Sequence, residues 1–145
     1  MKNIPQSVGF FIQMAKTQAL LSYRFDRVLG GLSFTEFLIL FHLDQAEGGQ
    51  LSRIELAGKV GLTASGVTRV LLPMAKIHLV KDGPKSDDAR VRTVAATAAG
   101  REKMQDELAR LKFLTDDLLP AGKRKELAGL SELLREIGER VGMRG

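Results

Sequence analysis

The stretch from Leu51 to Val94, LSRIELAGKVGLTASGVTRVLLPMAKIHLVKDGPKSDDARVRTV, leaves this chain fewer choices than any other part of it. Ser52 is followed three residues later by Glu55, the pattern in which a hydroxyl and a carboxylate each close a free backbone amide at a helix start. Ile54, Leu56, Ala57 and Val60 give that helix an apolar side. Gly61 ends it, because glycine enters the left-handed backbone region at little cost. Thr63 is a good cap for a second helix, in which Val67, Val70, Leu71 and Met74 recur at intervals that share one face. Ser65, Gly66, Thr68 and Arg69 fall on its other faces, near the N-terminal end. A helix that buries one side and offers small hydroxyls and an arginine on the other suits the major groove of duplex DNA. Pro73 predicts a kink or an early stop near Leu72, since proline removes an amide donor and crowds the carbonyl of Arg69.

After this two-helix unit, His78 to Lys81 and Val91 to Ala95 have strand character, and the turn-rich segment Asp82 to Asp88 lies between them. The result is a hairpin with Lys85 at its tip and Arg90 at its base. Asp88 is spaced to hold the Arg90 guanidinium in a fixed fork, so that less entropy is lost on binding. Arginine presented in this way suits a narrow, electronegative minor groove. The alternative is a purely structural salt bridge, although exposed pairs contribute only ~0–1 kcal/mol. Charge supports the binding reading. Residues 51–92 hold eight basic and four acidic residues, so +4 of the net charge of +5 lies in this segment. A solvated basic surface is the bland alternative.

The flanks are helical. From Ser7 to Leu29, Phe10, Met14, Leu21, Phe25 and Val28 form a stripe that Phe11 and Ala15 widen, and Gly30-Gly31 ends it. Ser33 and Glu36 repeat the capping pattern ahead of an aromatic-rich helix carrying Phe34, Phe37, Leu38, Leu40 and Phe41 to about Ala46. Gln50-Leu51 is placed to pair with the hairpin as a short strand. Thr97 opens a long helix to about Leu119, and Pro120-Ala121-Gly122 breaks it. Leu127, Leu130, Leu134, Ile137 and Val141 of the last helix form a heptad-like seam that needs a partner. The expected fold is mainly α (α+β). Residues 32–96 form a winged helix-turn-helix lobe, and helices at 7–29 and 98–143 form an intertwined dimerisation region within one domain of 145 residues. Packing of the terminal helices within one chain is the alternative.

Several classes of chemistry find no support. The chain has no cysteine, which excludes disulfides, thiolate metal sites and cysteine redox sensing. His42 and His78 sit in different elements without ligand partners at metal-binding spacing, and His42 reads as a core or pocket residue. Ser65 has no nearby base, so it reads as a hydrogen-bond donor rather than a nucleophile. No catalytic constellation, phosphate-cradling glycine motif, cofactor or metal is expected. No apolar run is long enough to span a bilayer, and MKNIPQSVGFF lacks the apolar core of a signal peptide, so a cytoplasmic chain with no membrane partner is expected.

These residues resemble the MarR family of winged helix-turn-helix regulators. Leu32 to Leu43 is similar to the family's second helix, and GLTASGVTRVL is similar to its recognition helix. Asp88-Ala89-Arg90 matches the Asp-x-Arg of the wing, and Thr97-Ala98-Ala99-Gly100 the Thr-x-x-Gly that opens the next helix. Pro73 stands where the family often has an arginine, and His78 where it usually has a glycine; histidine is among the residues enriched at positive φ. The resemblance implies a homodimer on pseudo-palindromic double-stranded DNA, often a repressor released by a small-molecule effector. Ser65, Gly66, Thr68 and Arg69 are then expected to read the major groove. Ser52, Arg53 and Thr63 are expected on phosphates near helix N-termini, and Lys81, Lys85, Asp88 and Arg90 on the wing. The resemblance also places effectors between the dimerisation helices and the lobe, where Phe10, Met14, Phe37, Phe41 and His42 are candidates that core packing would explain equally well. A winged-helix module that binds protein and has lost DNA affinity is the alternative function, favoured by Pro73.

Overall fold

The computed structural model describes residues 2–84, 88 and 90–142. Helix α1, Gln6–Val28, is followed by α2, Phe34–Gln45, which Ser33 and Glu36 cap reciprocally. Strand β1, Gln50–Ser52, runs directly into α3, Arg53–Val60, where Ser52 and Glu55 repeat the reciprocal cap. Helix α4, Ala64–Lys76, begins at Thr63, whose hydroxyl oxygen accepts the Gly66 amide at 3.1 Å. Strands β2, Val80–Asp82, and β3, Thr93–Ala96, precede α5, Ala98–Leu118, and α6, Leu127–Gly142.

The three strands form one antiparallel sheet in the order β1-β3-β2, with Leu51 opposite Val94 and Lys81 opposite Ala95. The expected pairing of Gln50-Leu51 with the hairpin is therefore present. The hairpin strands sit one to two residues later than local propensity suggests, because His78 and Leu79 belong to the turn that leaves α4.

The core lies between α2, the two short helices and the sheet. Ile39, Leu40, Leu43, Leu56, Val67 and Met74 are fully buried there. Burying each such side chain contributes about 1.5–3 kcal/mol. Gly61 takes a left-handed backbone with φ 70°, and the amides of Gly61 and Leu62 both reach the carbonyl of Ala57, so the turn between α3 and α4 closes on a conformation that glycine adopts at little cost. Helix α4 does not stop near Leu72. It continues through Pro73 to Lys76, because the missing amide falls in the last turn and on the exposed side.

Thr97 and Gly100 join α5 to this lobe. The Thr97 hydroxyl donates to the carbonyl of His78 at 2.6 Å and accepts the Gly100 amide at 2.9 Å. A Cβ on Gly100 would lie 2.1 Å from the carbonyl oxygen of Leu79, so only glycine allows this approach.

The remaining apolar surface is outside. Phe10, Phe11, Ile12, Leu20 and Tyr23 of α1 are exposed, as are Phe113 of α5 and Leu130, Leu133, Leu134 and Val141 of α6. Among its described residues α6 buries no side chain. Among the described residues, no helix is long and apolar enough to cross a membrane.

Candidate nucleic-acid interface

The α3–α4 unit presents its polar side as the sequence pattern requires. Val67, Leu71 and Met74 of α4 are buried, while Ser65, Arg69, Leu72 and Lys76 are exposed. At 100° per residue these four fall on one outward stripe, opposite the buried face. Leu72 and Lys76 extend the row begun by Ser65 and Arg69. The same periodicity that picked out the first pair would have found them.

Thr68 lies at the edge of this stripe and is half-buried. Its hydroxyl donates to the carbonyl of Ala64 at 3.1 Å, which leaves oxygen lone pairs and the methyl group to face outward. Thr63 and Ser65 have hydroxyl oxygens 3.2 Å apart at the helix start, beside Gly66, where a Cβ would crowd the Thr63 hydroxyl at 3.2 Å.

A cleft of about 180 Å³ separates α4 from the sheet and brings together Arg53, Thr68, Leu72, Lys81 and Asp82. Arg53 starts α3, Thr68 is on α4 and Lys81 is on β2, so residues far apart in sequence converge on one groove. The two cations make it suited to a phosphate, with Asp82 setting its limit on one side. Ser52 also lies close by. Its hydroxyl oxygen accepts the Glu55 amide at 3.2 Å, which commits Ser52 to the start of α3. The cap holds the Glu55 carboxyl below the usual range, chiefly through the Ser52 amide, then through the Ser52 hydroxyl and the positive charge of Lys59.

The wing is positioned from its base. Gly83 donates to the carbonyl of Thr93 at 2.9 Å, and a Cβ there would lie 2.1 Å from the Thr93 hydroxyl. Thr93 in turn donates to Gln50 at 2.5 Å, fastening β3 to β1. Asp88 accepts the backbone amide of Arg90 at 3.0 Å, and its carbonyl accepts Val91 at 3.0 Å, so this carboxylate shapes the turn that presents Arg90. Arg90 and Arg92 are exposed, and Lys85 lies outside the described residues.

The candidate effector residues divide between two cavities. Phe37 and Phe41 line one of about 710 Å³ between α2 and α5, together with Leu108, Leu111 and Lys112. Phe10 and Met14 line another of about 490 Å³ between α1 and α6, where Leu130 and Leu134 face them. Phe25 and Phe34 border both, with ring centroids 4.6 Å apart. His42 lines neither cavity; it packs edge-on to Phe41 at 5.3 Å. Burial, and then the charge of Lys59, push its imidazole below the usual pKa of 6.5. Four of the five candidates therefore line two cavities that adjoin at Phe25 and Phe34, and His42 stands apart from both.

Among the described residues no group of three or more histidine, aspartate or glutamate side chains is arranged to hold a metal ion.

No family model matches the chain, and no curated protein matches it. Solved structures do. AbsC, a MarR family transcriptional regulator from Streptomyces coelicolor, is 21% identical with a TM-score of 0.76, over 97% of this chain and 98% of its own. The transcriptional regulator BldR from Sulfolobus solfataricus is 24% identical with a TM-score of 0.80, over 94% of this chain and 99% of its own. BpsR from Bordetella bronchiseptica, whose DNA binding is regulated by 6-hydroxynicotinic acid, is 17% identical with a TM-score of 0.74, over 94% and 96%. At these identities the likeness is one of fold: along nearly its whole length, this chain has the winged helix-turn-helix architecture of MarR-type regulators.

Proposed function

We propose that this chain is a MarR-family regulator that binds a pseudo-palindromic site on double-stranded DNA as a homodimer, as a repressor released by a small ligand. The observation that carries the reading is the exposed stripe of Ser65 and Arg69 beside the cleft of Arg53, Thr68 and Lys81, on the segment that holds most of the net positive charge. A recognition helix needs this arrangement, with one side in the core, donors on the other and cations where phosphates pass. The uncovered apolar faces of α1, α5 and α6 support pairing of two copies. The cavity between α2 and α5, apolar with Lys112 at its rim, supports a flat anionic effector. Regulation of BpsR by an aromatic acid makes the same ligand class reasonable here.

Selection of preferred sites from a random duplex pool tests the reading at once for binding, symmetry and spacing. The expected outcome is an inverted repeat with half-site centres about one helical turn, ~10 bp, apart. Binding to no duplex at low salt would overturn it in favour of a protein-binding module.

A further inference from the structure

Glu107 is the one charged side chain among the described residues that is fully buried, and nothing in DNA contact uses it. It lies on α5 and reaches across to the junction between α1 and α2. Its Oε2 accepts the backbone amide of Gly30 at 2.9 Å. Its Oε1 faces the Lys103 ammonium at 3.2 Å without a well-aligned hydrogen bond. Lys103 also donates to the carbonyl oxygen of Gly30, so one residue of the junction is held at both its amide and its carbonyl by α5. Arg110 completes the cluster. Its Nε is 3.8 Å from Glu107 Oε2, and its guanidinium lies over Gly30, where a Cβ would come within 2.7 Å of it.

The placement is unusual for an ion cluster. Burying a carboxylate carries a desolvation cost that a well-packed apolar residue avoids, so buried pairs are a poor device for stability alone. They are better suited to fixing one arrangement out of several. The arrangement at stake here is an angle. Gly30 and Gly31 form the flexible link between α1, whose apolar face is uncovered, and α2, the centre of the lobe, and Gly31 has a left-handed φ of 91°. Two glycines in series would let α1 swing relative to the lobe.

We propose that Glu107, with Lys103 and Arg110, is a latch that fixes the direction in which α1 leaves the lobe and thereby sets the separation of the two α4 helices in the dimer. Glu107 is a positioning residue in this scheme, and the proposal rests on the dimeric reading above. It predicts that breaking the latch changes geometry more than stability.

The absence of cysteine allows a direct test. Spin labels at Lys16→Cys on α1 and Lys76→Cys on α4, both exposed positions, report the angle when the labelled chain is diluted with unlabelled chain. With Glu107 intact the distance distribution is expected to be narrow. Glu107→Gln and Glu107→Met should at least double its width while helix content and cooperative unfolding are retained. Widths unchanged in both variants would overturn the proposal. If neither variant folds, Arg110→Gln decides in the same way, because it frees Gly30 from the guanidinium that lies over it while Glu107 keeps Lys103 as its counter-ion. The second readout is affinity for operators with one base pair added between half-sites. The unsubstituted chain should lose tenfold or more and the variants less than threefold, whereas equal losses count against the latch. A chain that binds no duplex would defeat the regulator reading, and the label distances would still decide on the latch.

Discussion

His78 has φ 61°, and among the described residues it alone takes positive φ without being a glycine. The Thr97 hydroxyl fastens its carbonyl, so the tight exit from α4 is held in place and the strain is tolerated. A left-handed backbone costs an ordinary residue roughly 1–2 kcal/mol, and glycine returns part of that as lost chain entropy. His78→Gly should therefore stabilise the fold by about 0.5–1 kcal/mol, read as a higher urea midpoint at unchanged slope. Gly100 has the opposite sensitivity. Gly100→Ala drives a methyl group into the Leu79 carbonyl and should cost about 1–3 kcal/mol in the same titration. His42 gives a pH signature. Its folded pKa lies below the unfolded value of 6.5, so the folded state resists protonation. Stability from this group is complete above pH 6.5 and declines as pH falls from there through the folded value. His42→Gln should flatten the decline between pH 7 and the onset of carboxylate titration, measured by urea melts at each pH.

At the scale of elements, the helix starts were the most legible part of the sequence. Ser33, Ser52, Thr63 and Thr97 each cap the helix expected of them, because a cap is settled by residues three positions apart. The hairpin was placed less well, since its strands are fixed by pairing with β1 and by the turn at His78, neither of which is local. Of the two outcomes expected at Pro73, a kink or an early stop, the stop does not occur. The proline's penalty is real in a helix interior, but α4 has only a few residues left to run and the site is exposed. The outward stripe of α4 is therefore complete, and its central arginine should govern sequence preference. Arg69→Ala is expected to cost about 1–3 kcal/mol on the selected site and to relax discrimination at one base position. An unchanged gel-shift titration on that site would remove Arg69 from the role.

At the scale of the molecule, the sequence concealed what depends on distant packing. Glu107 has Lys103 four residues before it and Arg110 three after, which reads as a solvated helical triplet. Only the meeting of α5 with Gly30 buries it. The candidate effector residues were scattered for a similar reason: periodicity groups residues by helix face, while a cavity groups them by which helices meet. The apolar seam on α6 was legible as five aliphatic residues at heptad-like spacing, four of which, Leu127, Leu130, Leu134 and Val141, are exposed. Association that buries this seam makes unfolding depend on concentration. The thermal midpoint should rise as protein is raised from micromolar to hundreds of micromolar, and a midpoint independent of concentration would mean that the terminal helices are satisfied within one chain.

Helix α6 faces α1 only across a cavity and buries no side chain among its described residues, and the turn before it, 120–123, is open to solvent. If a second copy covers α6 as proposed, a lone copy would leave this turn and the helix after it open to proteases. Copies in surplus of their partners would be degraded first, so the quantity of this protein that persists would be tied to the quantity that stays covered.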